Sequence, residues 1–354
     1  MKKRFALGSF VLASILLLTA CGGGNSESSS SDKAASKDLV VSTFGLSEDI
    51  IKSDIMVPFE KEFGAKITLD VGNSGDRFTK LVSNPKGIDV IELAQANSAD
   101  GASQGLFEKL DESKIPNLAD LTSGAKEVFD SGAGVPIAVN SVGIVYDKEK
   151  VGKEITDWSD LWDSSLKGKI SIPEITTTAG PLMMYIASDY AGKDITEDNG
   201  EAAFGALEEL KPNIVKTYAK SSDLANMFQA GEIEAAIVMD FAYDIIKGDS
   251  ETIEYVVPES GTYANYNTVN IPVEAANKEL AYEFVNYRIS ADSQKTKALS
   301  LNEAPTNGKV ELTDEEAGNM TYGAIADRAK TVDFEFVNEQ LTDWIDQWNR
   351  LINQ

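Results

Sequence analysis

The chain has 354 residues, no histidine and one cysteine, Cys21. Ser-His-Asp and Cys-His catalysis need an imidazole to carry the proton, so both are excluded. Metal sites built on imidazole or thiolate are excluded with them. Oxygen and amide chemistry remains. A carboxylate pair of the glycosidase kind or an oxygen-ligated calcium site is open on these grounds. Asp89 and Glu92 are candidates for such a pair, but their spacing points to no particular reaction. The other candidates fall in five loops that follow apolar runs. Phe44 offers a ring for stacking, with Ser47 beside it. Asn73 and Ser74 sit between Gly72 and Gly75, where the backbone can approach a ligand closely. Gln95 opens the third loop. Thr176, Thr177 and Thr178 precede a helix, where hydroxyls and free amides favour an anionic group. The same residues also serve as helix caps. Asp240 follows an apolar strand and is the acid best placed to pair a ligand cation; it too can act as a cap.

The elements that position these loops follow from periodicity. Residues 38–45 read as a buried strand. Ile51, Ile55, Phe59 and Phe63 are spaced for a helix over 48–63, and Gly64 stands at its C-cap. Strands are predicted at 66–71 and 88–93 with a helix at 76–84 between them. This alternation implies an α/β fold with a largely parallel sheet. Residues 134–146 read as two strand segments meeting at Asn140. Further strands are predicted at 168–172, 214–218, 235–239, 253–257 and 267–271. Helices are predicted at 180–190, 201–210, 222–230, 277–289 and 337–351. In open α/β sheets, ligands sit beyond the carboxyl ends of strands, which is where the five loops fall.

The first residues have a different role. Lys2, Lys3 and Arg4 precede an apolar run from Phe5 to Leu18, and Thr19-Ala20-Cys21 follows. This is the layout of a secretory signal, and the run is short for a membrane span. The ending resembles the bacterial lipoprotein signal, which implies removal of residues 1–20 and lipidation of Cys21. Two acyl chains, of the palmitate kind, give stable anchoring where one does not. The Gly- and Ser-rich stretch 21–37 is a flexible tether spanning about 20–25 Å. Net charge is −25, and loss of the three leader cations takes it to −28. Such a chain repels nucleic acid. The expected location is the extracytoplasmic face of the cell membrane, lipid-anchored.

The order of elements after Val40 resembles the extracytoplasmic solute-binding proteins of ABC importers, the spermidine/putrescine-binding group above all. The likeness rests on Ile88-Asp89-Val90-Ile91, Gln104 to Asp111, Val135-Pro136 to Tyr146, and Trp158-Ser159-Asp160-Leu161-Trp162 with Leu166 to Lys169. Phe228 to Ile233, Val256 to Gly261 and Ala304-Pro305-Thr306-Asn307 continue it. The resemblance implies a two-lobed periplasmic-binding-protein-like fold of type II. Each lobe is a mostly parallel sheet with flanking helices, and the ligand cleft lies between them. Lobe 1 is 38–138 continued by 269–310; lobe 2 is 139–268 with a C-terminal helical segment, 311–354. It further implies a monomer without catalysis or cofactor, with a small-molecule solute and a membrane permease as partners. The family's Trp and Asp near the last hinge strand fall here at Asn265 and Asn267, and another Trp falls at Met239. Tyr263 can supply aromatic surface instead. The implied solute is a polyamine-like cation, with a phosphonate, a thiamine-like compound or a metal ion as alternatives.

Overall fold

The computed structural model describes residues 37–45 and 47–352. The leader, Cys21 and the tether up to residue 36 lie outside the described residues. Strand β1 (Asp38–Phe44) runs parallel to β2 (Lys66–Gly72), with Phe44 opposite Gly72 at their shared carboxyl end. β3 (Val90–Ala94) lies parallel on the other side of β1. The chain between β1 and β2 is helical from Glu48 to Phe63, with a π-helical stretch at Ile51–Met56. It ends at Gly64, whose φ of 61° favours a residue without a Cβ.

The sheet continues through two long strands. β4 (Val135–Asp147) is buried along its whole length. Its first half pairs antiparallel with β9 (Thr262–Asn270). From Val142 onward it pairs instead with β7 (Ala235–Met239) and β8 (Ile253–Val256). β9 also pairs with β3, while β10 (Ala329–Lys330) joins its first two residues. β5 (Ile170–Pro173) lies parallel to both β6 (Ile214–Tyr218) and β7. The hydrogen-bonded order is β2-β1-β3-β9-β4-β7-β5-β6.

Of the apolar clusters around this path, two are the largest. Leu39, Val41, Phe59, Val135, Ile137, Val269 and Phe284 belong to one. Val142, Ile144, Ile172, Leu182, Ile237, Trp344 and Trp348 belong to the other. β4 thus gives Val135 and Ile137 to the first of these and Val142, Ile144 and Tyr146 to the second, while Val139 and Val145 pack in two smaller clusters. The C-terminal helix Phe334–Leu351 buries Trp344 and Trp348 in the second core. The preceding chain, through Met320, packs instead with Ala125 and Val139. Among the described residues, no helix is long and apolar enough to cross a membrane.

Three sequence expectations change. The two segments expected over 134–146 form one strand, Val135–Asp147, unbroken at Asn140; its partner changes at Val142. The strand expected at 267–271 is Thr262–Asn270: pairing with β10 and β4 extends it back through Asn265, a poor strand former. The third loop is the first turn of a helix, Gln95–Ser103.

Trp344 is fully buried, and its Nε1 donates to the Asn199 carbonyl at 2.8 Å. Trp344→Ala should cost about 3–5 kcal/mol, read as a lower urea midpoint. A loss below about 1 kcal/mol would show that the helix does not close this core.

Candidate functional site

The place where β4 and β9 pass from one core to the other is polar. Asn140 stands opposite Asn265, and Ala138 opposite Asn267. Alternation along β9 puts Tyr263, Asn265 and Asn267 on one face. Tyr263 turns into the second core, packing on Tyr185 at 5.1 Å and donating to Asp189 at 2.7 Å. Burial pushes its phenol well above the ordinary range, and the Asp189 bond adds to this. Asn267 Nδ2 donates to Glu303 Oε1 at 3.4 Å. Asn265 is 2% exposed, and its Oδ1 has no partner.

Strand ends of the first core flank this floor. Phe44 lies beneath the Arg77 guanidinium, 4.8 Å from ring centroid to Cζ. Arg77 Nε donates to the Gly72 carbonyl at 3.0 Å, and Nη1 to the Glu92 carbonyl. Burial lowers the Arg77 pKa to about 10. Ser74 Oγ accepts the Ala94 amide at 3.0 Å, which fixes the end of β3. Asn73 is exposed and caps the helix Ser74–Ser83 by accepting the Asp76 amide at 2.9 Å. Ser47 is exposed at φ 56° and makes no side-chain cap bond. On the other side, Thr176 and Thr178 are exposed before the helix Ala179–Tyr190. Thr177 Oγ1 donates to the Glu174 carbonyl at 2.7 Å. A Cβ at Gly180 would strike the carbonyls of Glu174 and Ile175, so this turn stays tight only with glycine.

Two candidates turn inward. Gln95 Oε1 accepts the Tyr266 amide at 3.2 Å, and Nε2 donates to the Val332 carbonyl at 3.4 Å. It lines a separate pocket of about 900 Å³, with Glu127, Asn270 and Asp333. Asn270 and Asn265 lie on opposite faces of β9, so this pocket is not the polar floor. Asp240 was expected to face a cation. The structure gives it five internal donors instead: Asn140 Nδ2 (3.1 Å), the Ser141 and Phe241 amides (3.4 and 2.8 Å), and the Thr321 amide and hydroxyl (3.0 and 2.6 Å). It is 2% exposed and braces β7 against the crossover. Burial outweighs these donors and pushes its carboxyl up to about 6.

The acid that does reach the floor is Glu303, which sequence reading missed. The quoted loop Ala304-Pro305-Thr306-Asn307 begins one residue after it, which was the available signal. Glu303 pairs with Lys297, and its side chain is 20% exposed. Beneath it Arg288 Nε meets Glu92 at 2.6 Å, and Thr43 donates to Glu92 at 2.7 Å. Burial alone would raise the Glu92 carboxyl, yet Arg288 holds it below the ordinary range. Among the described residues, no three His, Cys, Asp or Glu side chains are placed to hold a metal ion.

The family model of the bacterial extracellular solute-binding proteins matches residues 54–327. This chain belongs to that family. The spermidine/putrescine-binding periplasmic protein 1 of Haemophilus influenzae is 26% identical over 318 residues, covering 86% of each chain. The putrescine-binding periplasmic protein PotF of Escherichia coli is 28% identical over 269 residues, 69% of this chain and 72% of its own. The crystal structure of an ABC transporter protein from Clostridium perfringens is 51% identical. It covers 89% of this chain and all of its own, at a TM-score of 0.84. The α/β sheet with flanking helices is thus that of periplasmic-binding-protein-like structures. As a solute-binding protein of an ABC transporter, the chain holds a small molecule and performs no catalysis. Its place is outside the cytoplasm.

Because the Asp240 pKa is raised from 3.8 to about 6, the folded state holds this proton more tightly than the unfolded one. Its contribution to stability is full below about pH 4 and is lost as pH rises through 6, by about 3 kcal/mol. Asp240→Asn lacks this titration. The stability of wild type relative to Asp240→Asn should therefore fall between pH 4 and 7 in denaturant titrations; a flat difference would contradict the assignment.

Proposed function

We propose that the solute is a small cation bearing protonated amines, of the polyamine class, captured between two halves of the chain and presented to a membrane permease. One observation carries this reading: the polar floor of Asn140, Asn265 and Asn267 lies across the strands shared by both cores. Bending there brings the flanking strand ends onto a solute that contacts both sides, and those contacts favour the closed form. The names of the relatives supply the amine class. The net charge of −25 favours cations over anions in the surroundings. The halves in this reading are 38–138 with 269–310, and 139–268 with 311–354. The leader is removed, Cys21 carries acyl chains of the palmitate kind, and 21–37 tethers a monomer to the outer face of the membrane. Tethering raises the effective concentration at the permease without any new contact.

Melting curves with millimolar putrescine, spermidine, thiamine and 2-aminoethylphosphonate test the solute class. A bound amine at 100 times Kd adds about 2.7 kcal/mol. Movement by thiamine or the phosphonate, with neither polyamine active, would replace the amine reading. For the anchor, Cys21→Ala should move the protein from the membrane fraction to the soluble one and abolish labelling by a fatty-acid probe.

A further inference from the structure

Asn265 is buried to 98%, yet its Oδ1 has no hydrogen-bond partner. An acceptor shut away from water and left unpaired is costly unless something else binds it. The neighbours do not compete for it. Asn140, opposite, spends its amide on Asp240. Asn267, two residues along the same face, reaches Glu303 only at 3.4 Å. Glu303 takes Lys297 on Oε2 and keeps part of its surface open. Lys297 is itself buried, and burial drives its pKa down against the pull of Glu303. An unsatisfied acceptor on Asn265 and a partly exposed carboxylate reached through Asn267, two residues along the same face of β9, therefore lie near one another.

We propose that Asn265 and Glu303 together form the ammonium receptor of this cleft. Glu303 supplies the charge, and Asn265 Oδ1 accepts one N–H of the same group. A primary ammonium has three donors and can serve both oxygens at once, with a donor left for water or backbone; a quaternary or donor-free cation cannot. The receptor therefore selects solutes ending in a primary amine. Asp240, saturated by its five donors, takes no part. This assignment rests on the amine reading of the solute.

The test is calorimetric titration of the full-length protein with putrescine, and with its fully N-methylated bis-quaternary analogue. Ligand-free melting temperatures are measured in parallel. Wild type should bind putrescine and not the analogue. Glu303→Gln should weaken putrescine about 20-fold or more, and Glu303→Asp, which keeps the Lys297 pair, by less. Asn265→Leu should weaken it about tenfold while raising the ligand-free melting temperature by about 1–3 °C, because an unpaired acceptor is replaced by an apolar group of similar size. A purely structural amide would give the reverse, a lower melting temperature with affinity kept. Unchanged putrescine affinity in Glu303→Gln, or equal binding of the quaternary analogue, overturns the receptor and leaves the amine reading standing. If wild type binds neither putrescine nor spermidine, the amine reading falls and the receptor with it.

Discussion

The structure depends on two strands having to serve two hydrophobic cores. β4 gives Val135 and Ile137 to one and Val142 and Ile144 to the other. Between them the strand must pass through a region belonging to neither. There the chain carries Asn140 and Ser141, and β9 carries Asn265 and Asn267. Apolar residues at these points would fuse the cores into one. Polar ones keep them apart, provided their hydrogen bonds are met. Asp240 and Thr321 meet those of Asn140 and Ser141. The Oδ1 of Asn265 is left over.

The first core is held beneath this floor by charge. Glu92 and Arg288 are both buried and paired, with Thr43 on the second Glu92 oxygen. A buried pair of this kind contributes little net stability, since desolvation offsets most of the attraction. Removing one partner would leave a lone charge in a dry interior, so the arrangement fixes geometry strongly. Arg77 acts in the same way at the edge, joining the ends of β2 and β3 through the carbonyls of Gly72 and Glu92. Strand ends are thus tied down on one side, and Gly180 keeps a tight turn on the other.

Much of the framework was legible because it is local. Ile51, Ile55 and Phe59 gave a helix, and all three are buried. Strands 214–218 and 235–239 match to the residue. The failures have a common cause. In Gln95–Ser103, small and polar residues give no apolar stripe, so no helix was read, yet the segment packs through Ser98 against Thr268 and Asn270. β9 reaches back to Thr262, beyond the expected 267–271, because β4 and β10 impose strand geometry on residues with no strand signal of their own. The resemblance placed Asn265 and Asn267 in the cleft but named no acid there, since Glu303 lies outside the segments that carried the likeness.

Composition and periodicity alone limit the chemistry open to the protein and call for its kind of scaffold. Without histidine, and with Cys21 as its one thiol, it offers no Ser-His-Asp or Cys-His catalysis and no imidazole-built metal site. Its alternating apolar periods call for a layered α/β fold. These are properties of composition and near neighbours along the chain. The tertiary structure alone decided which polar groups are spent and which are free. Asp240 finds Thr321 81 residues away, and Ser98 meets Thr268 across 170. A side chain's availability depends on whether such distant partners arrive. Local spacing had marked Asp240 as the open acid, and packing closed it and left Glu303 at the floor.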